Sequence, residues 1–328
     1  LQPLLLISWV LATHYGHWAG EWFVGGFEAK SIAYPLVLLG LAALVEGRWP
    51  LVWLWLGGAV AWHPLVGGWA GLTVAVVWLA GLYRVGWNER KQRIAQSLPA
   101  QLLAIALGLI GVLPAGLGIG QSGCDFGNVY PAAVHVYFRL SHHMAPQLFA
   151  DERHLWGAAS LVILATVTAW WYSARRSQST ATAWASLFAR VGVVLALAWL
   201  SVAVSAIGLA IDLGLSTRRP TIAASLLRFY WFRWSDIAVP LACTTTAAAL
   251  LQSMSYRSLA ERALTPLGNW SMGLALVGIG SLFGVHVNEN LQRRLPPADD
   301  ILMSAIGPNE IETDRYLDWL AVCQWIEE

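Results

Sequence analysis

LPAQLLAIALGLIGVLPAGLGI, residues Leu98 to Ile119, decides the fold class, because it runs without a single charged side chain. Crossing a hydrocarbon layer about 30 Å thick takes about 20 such residues in a helix. Water is absent there, so backbone N–H and C=O groups must pair within the segment, and a helix is the form that does this. Comparable runs lie on both sides: Leu1–Thr13, Ser31–Val45, Trp49–Trp62, Leu65–Tyr83, Leu155–Tyr172, Val191–Leu213, Ile237–Met254 and Trp270–Val287. Trp49–Trp62 and Leu65–Tyr83 are joined by a tight turn at His63-Pro64. The expectation is an all-α, polytopic transmembrane helix bundle of about nine spans over residues 1–290.

Composition agrees. The 328 residues are 57% hydrophobic and 12% charged, with mean hydropathy +0.55, whereas a soluble domain carries about 25% charged residues. Twenty tryptophans suit the aromatic belts of a membrane protein. A net charge of +1 gives no footprint for nucleic acid, so the lipid bilayer is the expected partner. Three cysteines, Cys124, Cys243 and Cys323, are too few for a disulfide framework. The chain begins at Leu1 and stops at Glu328 inside an apparent helix, and reads as a piece open at both ends.

Lysine and arginine set the orientation. Placing the 84–97, 173–190 and 256–267 loops on one side gives equal numbers of basic residues on both sides. Those of the first side are packed into short loops, which are the loops that the positive-inside rule counts. That side is therefore cytoplasmic. All eight histidines, and all but three of the 19 acids, then fall on the outer side or at an outer helix end. The three exceptions are Glu46, Glu89 and Glu261. Span interiors are nearly free of charge, so titratable chemistry is gathered at the extracytoplasmic face.

Gln121 to His154, QSGCDFGNVYPAAVHVYFRLSHHMAPQLFADERH, is the polar centre of that face. Pro131 suits the first turn of a short helix that Pro146 ends. On a regular helix His135, Arg139 and His142 share one face at i, i+4 and i+7. The stretch is a site, or an interfacial helix whose aromatics rest among headgroups. HYGHWAGEWFVGGFEAK, His14 to Lys30, brings Glu28 and Lys30 to a helix start. Glu28 there is either a favourable charge at a helix N-terminus or an acid/base group or metal ligand. His14 and His17, three apart, could share a helix face, and His63 caps a turn. STRRPTIAASLLRFYWFRWSD, Ser216 to Asp236, carries Arg218, Arg219, Arg228 and Arg233 on the side that should be poor in arginine. Arginine forks bind phosphate bidentately, and the surrounding aromatics would seat Arg228 and Arg233 at headgroup depth. The alternatives are generic phospholipid binding and an Arg233–Asp236 pair. Pro296 to Glu328 turns polar and amphipathic, the start of an extracytoplasmic segment from about residue 291. Cys124 and Cys323 both fall outside, which would permit a disulfide.

GGFEAKSIAYPLVLLGLAAL, the His63-Pro64 turn, FRLSHHMAP and FRWSDIAVPLA resemble a bacterial multi-pass family grouped near the GT-C superfamily of glycosyltransferases. The resemblance implies sugar transfer from a polyprenyl-phosphate-linked donor at the outer face of the bacterial cytoplasmic membrane. In that superfamily an acid in the first outer loop is the base, and Glu28 stands where several members carry a second acid. It implies Glu28, His142 and His143 as catalytic groups, with Arg228, Arg233, Arg139 and Lys30 on the donor phosphate. Arginines or a divalent metal ion would steady the departing phosphate. The competing function class is a non-enzymatic transporter or lipid-binding protein.

Overall fold

The computed structural model describes residues 8–13, 18–19, 28–121, 131–149, 151–177 and 182–255. The chain divides into two units, Leu1–Pro266 and Leu267–Glu328, and every described residue belongs to the first. The expected Trp270–Val287 span, the 290/291 boundary, the 291–328 segment, His14, His17, the Gly25-Gly26 hinge and the Cys124–Cys323 pair lie outside the described residues.

All regular structure among the described residues is helical. Residues 8–13 form α1. Then come α2 (Ala29–Val45), α3 (Trp49–Trp62), α4 (Pro64–Tyr83) and α5 (Trp87–Gln121). A broken segment contains α6 (Pro131–Ala133), a π-helix (Val134–Arg139), α7 (Ser141–Met144) and a 3₁₀ turn (Pro146–Leu148). It leads to α8 (Asp151–Ser177), α9 (Thr182–Leu215), α10 (Pro220–Leu227) and α11 (Ser235–Ser255).

Local chemistry sets the boundaries. Gly47 has φ +74°, and the Arg48 N–H reaches the Ala43 carbonyl at 2.9 Å, a Schellman-type close of α2. Pro50, Pro64 and Pro220 occupy first-turn positions, where a missing N–H costs nothing. At Gly57 of α3 an added Cβ would stand 2.5 Å from the Ala104 Cα of α5. Leaving no room for a side chain is how small residues let apolar helices approach closely in lipid.

Two apolar clusters hold the bundle. Tyr34, Val37, Val52, Leu56, Val66 and Val74 join α2, α3 and α4, with Trp234 and Ile237 added from the start of α11. Leu164, Val167, Leu195, Ala198 and Val239 join α8, α9 and α11.

Among the described residues four helices are long and apolar enough to cross a membrane: Pro64–Tyr83, Trp87–Pro114, Arg153–Arg175 and Ser186–Leu215. The expectation of nine spans is corrected here. Ala29–Val45, Trp49–Trp62 and Ser235–Leu250 are apolar but shorter; at 1.5 Å per residue they reach about 21 to 26 Å, under the roughly 30 Å core. Their burial explains the misreading. Val37, Val52 and Ala59 are fully enclosed by other helices, and hydropathy alone does not separate a buried core helix from a lipid-facing one.

Candidate functional site

The polar end of the bundle is where α3 turns into α4, at His63-Pro64. Connectivity brings the starts of α8 and α11 and the end of α9 to the same end. Two linkers build it: residues 131–149, and the 228–234 stretch between α10 and α11.

The second linker is held from several sides. Trp69 Nε1 donates to the Phe229 carbonyl at 2.8 Å, and Trp234 Nε1 donates to Thr73 Oγ1 at 3.0 Å. Ser205 Oγ donates to the Trp231 carbonyl at 3.2 Å. Among the described residues Tyr230 is the only non-glycine with positive φ, at 53°. For so bulky a side chain that is a strained backbone, and the surrounding bonds fix it. The placement corrects an expectation. Phe232, Arg233, Trp234, Ser235 and Asp236 are buried inside the protein rather than seated among headgroups.

Arg233 is therefore enclosed. Its Cζ lies 3.9 Å from the centre of the Tyr230 ring, a cation–π contact, and its Nη1 lies 3.1 Å from His63 Nε2. A guanidinium only donates, so a hydrogen bond there needs an Nε2 lone pair on His63. The Val66 N–H also points at His63, 3.3 Å from Nδ1; a neutral imidazole has one acceptor nitrogen, so His63 either caps α4 through Nδ1 or accepts from Arg233 through Nε2, not both.

Arg228 is placed differently. It is half-buried and stacks on Phe229, with 5.3 Å from Cζ to the ring centre. Its Nε is buried and has no acceptor among the described residues. Its charge acts on His135: burial first, then Arg139, then Arg228, hold the His135 imidazole below its ordinary 6.5. The ring of His135 meets Tyr230 edge-on, 6.4 Å between centres. Thus exposed Arg139 and Arg228 gather positive charge around His135, and no carboxylate is among the groups acting on it.

The expected regular helix over this stretch breaks. Residues 134–139 are π-helical, with the Leu140 N–H bonded to the His135 carbonyl at 3.0 Å, five residues back. Leu140 leaves helical geometry at φ −130°, ψ 32°. The face expected to unite His135, Arg139 and His142 is divided as a result. His142 answers instead to Arg153: burial, then the Arg153 charge, lower its pKa. Arg153 also donates to the His142 carbonyl.

His142 and His143 lie ring to ring, 4.0 Å between centres. His143 Nδ1 contacts the Ala19 carbonyl. The proton on that nitrogen leaves the lone pair at Nε2. Ala19 is held from the other side, since buried Asp236 accepts from the Trp18 N–H at 2.8 Å and the Ala19 N–H at 3.1 Å. Trp18 stacks on Phe232 at 6.4 Å and lies over Gly157, where a Cβ would strike its ring. So FRLSHHMAP and FRWSDIAVPLA, far apart in sequence, are joined through Trp18-Ala19.

One anchoring residue escaped the sequence reading. Asp212, buried in α9, accepts from the Gln147 N–H at 2.8 Å and from the Ser216 hydroxyl, and Ser216 accepts from Tyr137 Oη at 3.0 Å. The signal was present: an acid within the apolar run AIGLAIDLGL marks a costly, employed group.

Glu28 is exposed at the start of α2. Its backbone N–H reaches Ser31 Oγ at 3.4 Å, and its carboxylate pairs with Lys30 at 3.1 Å. The Glu28–Lys30 pair thus stands at the first turn of α2. Among the described residues no group of three His, Cys, Asp or Glu side chains is placed to hold a metal ion. No family model, curated protein or solved structure matches this chain.

Proposed function

We propose that the His135–Arg139–Arg228 cluster binds the phosphate of a lipid carrier at the extracytoplasmic face, and that the protein transfers a sugar from a polyprenyl-phosphate-linked donor. The observation that carries this reading is the buried Nε of Arg228, which lacks an acceptor among the described residues and belongs to a positive cluster. Phosphate oxygens would supply that acceptor, and a guanidinium suits them. The glycosyl chemistry rests on the likeness of the quoted motifs to GT-C enzymes.

In this reading His143 Nε2 takes the proton of an acceptor hydroxyl. The freed oxygen bonds to the anomeric carbon. The bond from that carbon to the phosphate oxygen breaks, and its electron pair leaves with the lipid phosphate, whose charge Arg228 and Arg139 meet. Arg233 contributes field from within, and the Glu28–Lys30 pair is left to the helix start. The basic 84–97 loop faces the cytoplasm, in the bacterial inner membrane.

Purified protein in nanodiscs provides the test. Arg228→Gln should weaken binding of a polyprenyl-phosphate analogue by about 1–3 kcal/mol, the scale of a charged hydrogen bond, and Arg228→Lys should not restore it. His143→Ala should stop sugar transfer with donor binding retained. Donor binding without transfer in the unaltered protein would favour a non-enzymatic lipid-phosphate-binding protein. Binding indifferent to Arg228 would remove both. For orientation, Gln92→Cys should resist an impermeant thiol reagent on intact cells while His142→Cys reacts.

A further inference from the structure

The opposite end of the bundle, at the turn from α4 to α5, has its own chemistry. Tyr83 and Trp87 flank the turn and are 85% and 63% exposed, large values for such side chains. Around them stand Arg84, Arg90, Lys91 and Arg93 against one acid, Glu89. Two of the four cations are occupied. Arg90 donates to the Leu82 carbonyl at 3.0 Å and the Val85 carbonyl at 3.4 Å, which staples the turn. Arg93 forks onto Glu89 at 2.6 and 3.1 Å. Arg84 and Lys91 are exposed and have no acidic partner among the described residues. Lys91 Nζ rests 4.8 Å from the centre of the Trp87 ring, so its charge is held beside an aromatic.

Depth follows from α5 itself. Trp87, Ile94, Leu98, Leu102, Ile105 and Leu109 recur at helical spacing, and all are exposed. This is a lipid-facing stripe, and Trp87 to Leu109 spans about 33 Å, roughly the hydrocarbon thickness. Trp87 and Lys91 therefore sit at its interfacial end, where indole rings and cations meet headgroups.

We propose that Arg84 and Lys91, framed by Tyr83 and Trp87, form a site for the headgroup phosphate of an anionic phospholipid. The stapled turn holds the two cations in place, and the aromatics fix their depth. The site is separate from the His135–Arg139–Arg228 cluster and does not depend on its function.

The test titrates short-chain phosphatidylglycerol onto the detergent-solubilised protein and follows binding by native mass spectrometry. Parallel arms use short-chain phosphatidylcholine and inorganic phosphate. Phosphatidylglycerol should bind more tightly than both. Arg84→Gln/Lys91→Gln should weaken it about fivefold or more and leave phosphatidylcholine unchanged. The control Arg218→Gln/Arg219→Gln removes the same charge from the turn before α10 and should leave it intact. Equal weakening by both double variants, no loss in the first, or equal binding of phosphatidylcholine overturns the proposal. Inorganic phosphate competing at the same concentration as the lipid also overturns it, because the site would then be one for the free anion. A thermal melt of each variant checks the fold, and Lys91→Arg, which keeps the charge, should retain binding.

Discussion

At the residue scale, buried and half-buried polar groups give the clearest expectations. Asp236 accepts two backbone N–H bonds from Trp18 and Ala19, and hydrogen bonds to a charged group are worth about 1.5–3 kcal/mol. Asp236→Asn keeps the shape and loses the charge, so a loss of about 2 kcal/mol is expected in a denaturation series. Faster amide exchange should appear at Trp18 and Ala19 in the same variant, which separates a local release from a general loss. His135 and His142 both titrate below 6.5 in the folded protein. An unfolded chain therefore binds their protons first as pH falls, and stability drops from about 6.5 downward to the lowered values. The melting temperature should fall between pH 7.5 and pH 5, and His135→Gln/His142→Gln should flatten that dependence. An unchanged slope in the double variant would mean that other groups carry it. Removing the Arg228 charge takes away one of the causes that depress His135, so its titration, followed by NMR, should move upward in Arg228→Gln.

At the element scale, α3 is packed where neighbouring glycines differ in what they tolerate. A Cβ at Gly57 would press on the Ala104 backbone of α5, whereas one at Gly58 would meet Leu36 Cδ1 at an ordinary 3.5 Å. Gly57→Ala should cost about 1–3 kcal/mol, the scale of overpacking. Gly58→Ala should be neutral or slightly stabilising through better helix propensity. Thermal melts of the two variants in one detergent check the contrast, and equal effects would show that α3 and α5 do not approach closely. The π-helix at 134–139 belongs to this scale too. With it the linker offers two histidine environments, His135 under the charges of Arg139 and Arg228 and His142 under that of Arg153.

For the whole molecule, the decisive distinction is between helices that face lipid and helices that face protein. α5 has Leu102, Ile105, Leu109 and Ile110 exposed, while Val52 and Ala59 of α3 are enclosed. Nitroxide labels at Ile105 and Ile110 should be readily relaxed by molecular oxygen in bilayers, and a label at Val52 should not. High oxygen access at Val52 would restore α3 as a lipid-facing span. The two ends of the bundle then have different tasks. One gathers histidines and arginines around buried carboxylate anchors, and the other presents aromatics and cations at a stapled turn.

The amino-acid sequence by itself determined that the chain is helical and made for a membrane, because hydrocarbon forces backbone pairing on any long apolar segment. It also marked the start of the short helix at Pro131, since a first turn has an N–H to spare. The stretches 121–154 and 216–236 were legible as the polar places of an apolar chain. Only the tertiary structure decided which apolar helices are enclosed, because a residue facing lipid and one facing another helix are equally apolar. It also decided the partners of the charged groups. Arg233 with His63, and Asp236 with Trp18 and Ala19, are contacts across large sequence separations, and the charge of Arg228 reaches His135 across another. Spacing along one helix cannot encode them, and the break at Leu140 overrode the spacing that seemed to.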